Sequence, residues 1–189
     1  IITWSVKDLI EMYSRKVNII KEGKITQVKA MTGLEEINFP GIGKLEAFYT
    51  DGLRTLLHTV KDVKDMWEKS FRYPGHVEKI RLLKNLGFFD EKLLQIENFN
   101  VSPREVTAKL LEIKLKRPKI PDIVAMHVEV SGTRNGKHVI CTYYMLDRYD
   151  EERQVTAMGR TTAYTTSVVA QLVACLLYTS PSPRDRTRS

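Results

Sequence analysis

Residues 123–146 read IVAMHVEVSGTRNGKHVICTYYML, and this stretch decides the fold class. Apolar and polar residues alternate over residues 123–130 and again over residues 138–146, which is the period of a strand with one buried face. Between these runs lies RNGK at residues 134–137, and Asn-Gly is the dipeptide preferred at the centre of a tight hairpin turn. The stretch therefore predicts two antiparallel strands joined directly to each other.

The elements predicted on either side of this hairpin alternate between strands and helices without forming a βαβ series. We predict strands over residues 17–20, 25–30, 34–39, 45–49 and 63–73, with Gly23 at the first hairpin bend. We predict helices over residues 6–14 (capped by Ser5), 76–86 (closed by Gly87), 103–115 (opened by the capping box SPRE) and 164–174. The order predicts an α+β fold with a mixed, largely antiparallel sheet and helices packed on it.

The composition is that of an ordinary globular protein. The chain has 189 residues, 42% hydrophobic and 28% charged, and a net charge of +7. Basic residues are interleaved with acids, and the one basic run, residues 114–119, has no stacking aromatics, which favours a solvated helix end over a nucleic-acid site. No apolar run approaches the roughly 20 residues of a membrane span. The two cysteines favour a reducing cytoplasm. We expect no nucleic-acid partner, no membrane and a cytoplasmic location.

Several common catalytic and binding signatures are missing from the sequence. The Gly-Ile-Gly at residues 41–43 has no third glycine and no following helix, so a loop between strands is favoured over a dinucleotide cradle. No serine lies in a nucleophile elbow. The four histidines lie too far apart in sequence to indicate a zinc site. We therefore expect no metal and no cofactor-binding loop in this chain.

Two arginines lie near the ends of predicted strands, at positions where polar side chains are unusual. Arg54 ends the segment YTDGLR, and Arg72 precedes Tyr73 and His76 in SFRYPGH. The planar guanidinium fork suits a fixed carboxylate, so such a pair, with Trp4 as an apolar wall, would fit a small zwitterion such as an amino acid. The alternative is structural: Arg72 pairs with Glu68 or Glu78, and Trp4 belongs to the core.

Four segments of the chain resemble one protein family. They are ITWS (residues 2–5), FPGIGKLEAFYTDGLRTL (39–56), MWEKSFRYPGHVEKIRLLKNLGFF (66–89) and AMGRTTAYTTSVVAQLV (157–173). In this order they are similar to the catalytic C-terminal part of the saccharopine dehydrogenase family, with the best fit to the short members that include lysine 6-dehydrogenase. The resemblance spans nearly all of residues 1–174.

The resemblance implies an enzyme with one domain that binds the cofactor and another that binds the substrate. In that family an N-terminal Rossmann domain binds NAD or NADP, and a second α+β domain holds the amino-acid substrate and forms a homodimer. Residues 1–174 would be this second domain, truncated at both ends and inactive alone, from an enzyme that oxidises the CH–NH bond of a lysine-type amino acid. Its exact substrate and its proton-transfer residues stay open. The competing hypothesis is a non-catalytic binding or scaffolding relative that kept the fold without redox activity.

The resemblance also implies the substrate-binding residues. In the family, the tryptophan of the first motif lines the pocket together with a three-residue segment, the triplet, that precedes the tyrosine corresponding to Tyr73. The usual threonine and leucine of this triplet are serine and phenylalanine here. The arginine of the triplet and the arginine after YTDG would hold the substrate carboxylate. His76, at the start of the following helix, either adds a hydrogen bond or caps that helix. The implied substrate-binding residues are Trp4, Ser5, Asp51, Arg54, Ser70, Phe71, Arg72, Tyr73 and His76.

The last residues differ in composition from everything before them. Residues 175–185 read CLLYTSPSPRD, which one reading frame of a common transposase sequencing adapter encodes residue for residue. A natural disordered or phosphorylatable tail is the alternative that composition alone favours. We expect residues 175–189 to be a disordered translation of adapter and index sequence, and residues 1–174 to be the genuine protein.

Overall fold

The computed structural model describes residues 5–115 and 121–175. The chain divides into two compact units, Ile1–Pro118 and Lys119–Ser189. Trp4 and residues 176–189 of the expected adapter-derived tail lie outside the described residues. The strand pairs of the described residues are all antiparallel, and helices accompany them in both units, which confirms the predicted α+β class.

The first unit holds most of the helices and strands. Its helices are α1 (Val6–Ser14), α2 (Leu56–Thr59), α3 (His76–Asn85) and α4 (Pro103–Leu115). Its strands are β1 (Val17–Lys21), β2 (Lys24–Val28), β3 (Glu35–Phe39), β4 (Gly43–Tyr49), β5 (Lys69–Arg72), β6 (Leu94–Ile96) and β7 (Phe99–Val101). β3, β4 and β5 form a three-stranded sheet in that order, while β1 pairs with β2 and β6 with β7.

Helix α1 forms where its cap and its apolar spacing predict it. The Ser5 hydroxyl accepts a hydrogen bond from the Asp8 backbone N–H at 3.3 Å, which satisfies one of the free amides of the first turn. The buried residues of α1 recur three and four positions apart, so they share one face. They are Val6, Leu9, Ile10 and Tyr13.

The core of the first unit lies where this face of α1 meets β4, α3 and α4. Its aromatic members are Tyr13, Phe48 and Phe89, with the Tyr13 ring 6.2 Å from Phe48 and 6.5 Å from Phe89. Val77 of α3 and Ala108 of α4 complete the contact. Helix α1 is therefore held by side chains from three other elements, and its rotation about its own axis is defined.

Strand β5 is shorter than the predicted strand over residues 63–73. Before β5, Met66 instead pairs with the edge of the β1–β2 hairpin. It exchanges backbone hydrogen bonds of 2.8 and 3.0 Å with Ile20 of β1. The predicted strand was wrong in extent because its two ends pair with different partners. Helix α2 and the β6–β7 hairpin were missed, since three- and four-residue elements carry too little periodicity.

Helix α3 begins at the Pro-Gly break. Gly75 has a φ of 79° and no side chain with which to cap the helix. The cap comes from Glu46 of β4, whose carboxylate accepts from the Gly75 backbone N–H at 2.6 Å and from the Val77 N–H at 3.1 Å. A negative charge at a helix N-terminus is favoured by the helix dipole.

Helix α4 keeps half of its predicted capping box. The Ser102 hydroxyl accepts from the Glu105 backbone N–H at 3.3 Å. The Glu105 side chain does not return to the cap, because it binds the Lys7 ammonium of α1 at 3.0 Å. A tertiary ion pair has replaced the local bond that the sequence pattern predicts.

The second unit is a long hairpin followed by a helical segment. Its elements are β8 (Ile123–Arg134), β9 (Lys137–Arg148), α5 (Ala157–Gly159), a π-helical turn (Arg160–Tyr164) and α6 (Thr165–Ala174). Asn135 and Gly136 both have positive φ, 53° and 74°, which confirms the tight turn predicted for Asn-Gly. The helical segment starts seven residues before the predicted helix, because Thr156 caps it by accepting from the Gly159 N–H at 3.0 Å.

Within the described ranges, no helix is both long and apolar enough to cross a membrane.

Replacing Glu46 by glutamine tests the cap of α3. The variant loses the negative charge at the helix N-terminus, so we expect the free energy of unfolding to fall by about 1 kcal/mol in urea denaturation at neutral pH. Glu36→Gln is the matched control, since Glu36 lies directly opposite Glu46 on β3 and its side chain is 70% exposed. Equal stabilities of the two variants would show that the Glu46 charge does not support the helix.

Candidate functional site

An open cleft of about 390 Å³ lies in the first unit, between α1 and the ends of β4 and β5. Four carboxylates and two guanidiniums are among its lining groups, so it is strongly polar and more acidic than basic. The lining residues are Asp8, Glu11, Met12, Arg15, Thr50, Asp51, Gly52, Arg54, Glu68 and Ser70.

One wall of the cleft is a single stripe of α1. Asp8, Glu11, Met12 and Arg15 recur at intervals of three, one and three residues, the spacing of one helical face. Because the core holds the adjacent face of α1, this stripe is presented to the cleft. None of these four residues is among the predicted site residues, although their helical spacing is visible once the helix is predicted.

Asp51 joins the two arginines of the cleft. Its carboxylate lies 3.5 Å from Arg15 Nε and 3.5 Å from a terminal nitrogen of Arg54, and its side chain is only 15% exposed. These distances are long for charge-assisted hydrogen bonds, and the buried Arg15 Nε has no hydrogen-bond partner among the described residues. The Arg54 side chain is 62% exposed, so it is accessible from solvent.

A hydroxyl network holds Glu68 on the opposite side of the cleft. Thr50, which is buried, donates from its hydroxyl to the Glu68 carboxylate at 2.6 Å and lies 2.9 Å from the Ser70 hydroxyl. Burial raises the pKa of the Glu68 carboxyl above its usual range, and hydrogen bonds from Thr50 and Gly52 and the charge of Arg72 only partly oppose this. The sequence analysis named Glu68 only as a possible partner of Arg72.

Arg72 and His76 of the segment SFRYPGH meet at a tyrosine from a different element, whereas Tyr73 of the same segment is exposed. The Tyr13 hydroxyl of α1 lies 2.8 Å from His76 Nε2 and receives a longer hydrogen bond, 3.4 Å, from Arg72 Nε. Burial and the nearby charge of Arg72 lower the pKa of His76, with Glu46 acting in the opposite direction and Lys79 in the same one. A neutral imidazole accepts the Tyr13 proton at Nε2, which leaves the tyrosine oxygen to accept from Arg72.

The predicted site residues fall into separate groups. Asp51, Arg54 and Ser70 line the cleft, whereas Arg72 and His76 meet at Tyr13. Met12 connects the two groups, since its sulfur lies 4.0 Å from the Ser70 hydroxyl and 3.8 Å from an Arg72 nitrogen. The remaining predicted residues lie elsewhere or outside the described residues. Ser5 caps α1, Phe71 packs edge-on against Phe39, Tyr73 is 65% exposed, and Trp4 is not described.

The alternative role for Arg72, an ion pair with Glu68 or Glu78, is not what the geometry shows. In the part of the chain that the structure describes, the salt bridges within 4.0 Å include none to Arg72. Its guanidinium donates instead to the Phe71 carbonyl at 2.6 Å and to Tyr13. Arg72 therefore keeps its charge uncompensated by direct contact with a carboxylate.

Residues 5–115 and 121–175 contain no group of three or more histidine, cysteine or acidic side chains arranged to hold a metal ion.

Comparisons with known proteins identify a family and a similar fold. The family model of the saccharopine dehydrogenase C-terminal domain matches residues 1–176, which confirms the family expected from the motifs. A solved structure of apo histidine-tagged saccharopine dehydrogenase (L-Glu forming) from Saccharomyces cerevisiae is similar in fold, with a TM-score of 0.71 and 13% sequence identity. That alignment covers 96% of this chain and 55% of the yeast chain, so this chain spans about half the length of that structure.

Replacing His76 by glutamine tests the neutral imidazole at Tyr13. In the folded protein the pKa of His76 is lowered, whereas in the unfolded chain it is near the ordinary value of about 6.5. Between these values the unfolded chain binds more protons, so the stability that His76 contributes is present above about pH 6.5 and is lost as the pH falls. We expect the free energy of unfolding to fall less steeply with decreasing pH in His76→Gln than in the wild type.

The control for this measurement is His58→Gln, because His58 lies exposed on α2. This variant should keep the wild-type slope. The Glu68 carboxyl has the opposite linkage, since a raised pKa costs stability as the pH rises, but it is present in all three proteins and cancels in the comparison. Identical slopes for wild type and His76→Gln would contradict the assignment.

Proposed function

The chain belongs to the saccharopine dehydrogenase C-terminal domain family, and from this membership we propose that it is the substrate-binding part of an NAD(P)-dependent oxidoreductase. The enzyme would act on the CH–NH bond of a lysine-type amino acid, as lysine 6-dehydrogenase or saccharopine dehydrogenase does. The observation that carries the proposal is the cleft, where exposed arginine donors and half-buried carboxylates lie side by side. Such a surface complements a molecule that bears both a carboxylate and an amine.

The arginines supply the carboxylate anchor in this proposal. Arg54 is exposed and only loosely paired with Asp51, so a substrate carboxylate can take its free donors at little cost in existing contacts. Arg15 adds a second positive charge beside the same aspartate. Binding energy from this anchor orients the carbon that bears the amine, which is the purpose of a remote clamp.

The nicotinamide cofactor supplies the hydride acceptor when it is bound. We assign its binding mainly to a separate nucleotide-binding half, because the chain carries no glycine-rich phosphate loop and because much of the yeast chain has no counterpart here. The contribution of this chain is then to bind and orient the substrate. The choice between NAD and NADP would belong to the other half, and the location would be the reducing cytoplasm.

We also propose a homodimer that uses the second unit. The β8–β9 hairpin exposes apolar side chains on both strands, including Val130 at 60%, Ile140 at 55% and Tyr143 at 63%. An isolated two-stranded hairpin of this kind is marginally stable in water, and an exposed apolar surface favours association.

Light scattering of the full-length protein at micromolar concentration tests the dimer. We expect twice the monomer mass in the wild type and a shift toward monomer in a Val130→Lys, Ile140→Lys double variant, because charge on both strands disfavours burial. Glu129→Lys, on the same hairpin, controls for added positive charge without loss of an apolar contact. A wild-type monomer mass at this concentration would contradict the dimer.

Steady-state assays of the full-length protein with lysine, saccharopine and a carboxylated polyamine, each with NAD and with NADP, test the function. We expect reduction of one cofactor by one of these amines, and none by this chain alone. Arg54→Ala should raise KM roughly ten-fold or more, by loss of a charge-assisted hydrogen bond, with little change in Tm.

The matched control is Arg153→Ala, since Arg153 is 68% exposed and pairs with Asp150 at the same three-residue spacing as Arg54 with Asp51. It should leave KM unchanged. Absence of turnover with every substrate would favour a scaffolding relative over an enzyme. A fall in Tm without a change in KM for Arg54→Ala would make that arginine structural.

A further inference from the structure

Glu68 lines the cleft but takes no part in the proposed binding of the substrate carboxylate by arginine. The other acidic side chains of the cleft differ from it: Asp51 faces two arginines, Glu11 binds Arg104 at 2.5 Å, and Asp8 is exposed in the first turn of α1. Among the described residues, the ion pairs within 4.0 Å include none to Glu68. It is therefore a half-buried anion without a direct cationic partner.

The position of this carboxylate is defined on two sides. Its Oε2 accepts from the buried Thr50 hydroxyl at 2.6 Å, the backbone N–H of Gly52 adds a hydrogen bond to the carboxylate, and Glu68 lines the open cleft. On the other side lies Gly52, where an added Cβ would be only 2.7 Å from both Cδ and Oε2 of Glu68. The glycine of YTDGLR thus provides the space in which the carboxylate lies.

A half-buried anion without a cation is stabilised most by a cation that arrives with hydrogen-bond donors. An alkylammonium has three donors and no acceptor, which suits a carboxylate that lines the cleft with the Ser70 and Thr50 hydroxyls nearby. We propose that Glu68 receives the side-chain ammonium of the substrate and so selects amino acids that carry a second amine. The inference rests on the proposed function, because it takes Arg54 as the anchor of the ligand's carboxylate.

This assignment narrows the substrate class. The cleft has four carboxylates against two guanidiniums, and Arg104 neutralises Glu11, so an excess of one negative charge remains. A ligand with one carboxylate and two ammonium groups, such as lysine or a carboxylated polyamine, matches this excess of negative charge. Saccharopine brings additional carboxylates, which the acidic cleft would repel.

The preference should depend on pH. Burial raises the pKa of the Glu68 carboxyl, so it is protonated at a higher pH than an exposed glutamate and then no longer attracts an ammonium. The charged groups around it set this range together. They are Arg72 on β5, Asp51 and Arg54 after β4, and Asp8, Glu11 and Arg15 on α1.

Calorimetric titration of the full-length protein with L-lysine and with L-norleucine tests the inference, because norleucine has the same carbon chain without the second ammonium. We expect the wild type to prefer lysine at neutral pH, and Glu68→Gln to lose roughly ten-fold or more of that preference, the size of one charge-assisted hydrogen bond. The wild-type preference should shrink as the pH is lowered toward the pKa of Glu68, and the small preference of the variant should stay constant.

Gly52→Ala provides a second variant that keeps the charge and displaces the carboxylate, so it should lose the same preference. Gly132→Ala is its control, since an added Cβ there meets nothing within 4 Å. A lysine preference that survives both Glu68→Gln and Gly52→Ala overturns the inference, as does a wild type that binds the two ligands equally. If such a protein still oxidises one of the amines, the proposed function stands; if it binds no amine and oxidises none, both fail.

Discussion

The hydroxyl of Tyr13 is the contact on which the geometry of the first unit depends. The side chain is 1% exposed, and its ring packs among aromatic neighbours while its oxygen meets His76 and Arg72. A buried hydroxyl without a partner is costly, so this pairing permits only one rotation of α1 against the sheet and α3. The Lys84 ammonium of α3 adds a second tie, donating to the Tyr13 carbonyl at 3.0 Å.

The cleft follows from this constraint. Once Tyr13 and its face of α1 are held in the core, the next stripe of the helix, from Asp8 to Arg15, must face the ends of β4 and β5. The same strand β5 places Ser70 toward the cleft and Arg72 toward Tyr13, two residues apart and hence on one face of the strand. The core and the candidate site are thus two sides of one helix, and Met12 is in contact with both.

Three carboxylates of the first unit, those of Glu46, Asp51 and Glu68, have different neighbours. Glu46 is satisfied by backbone amides of α3, and Asp51 by two arginines, so both carboxylates have favourable partners as charged groups. Glu68 has a hydroxyl and burial instead, and its pKa is raised. The difference between these three acids lies in their surroundings and not in their chemistry, because amides or arginines stabilise the charged form of a carboxyl group and burial disfavours it.

The sequence by itself determined the elements that depend on local signals. Helix α1 follows from Ser5 and a 3.6-residue apolar period, the β8–β9 turn from Asn-Gly, and the family from long motifs in order. The tertiary structure alone decided which side chains meet. Tyr13 and His76 are 63 residues apart, and Thr50 and Glu68 are 18 apart, so no local pattern relates them. Arg72 and His76 of the segment at residues 70–76 meet the phenol of Tyr13 and not that of the neighbouring Tyr73, because strand direction and helix packing set that contact. Secondary structure is specified by neighbours along the chain, whereas a binding site is specified by neighbours in space.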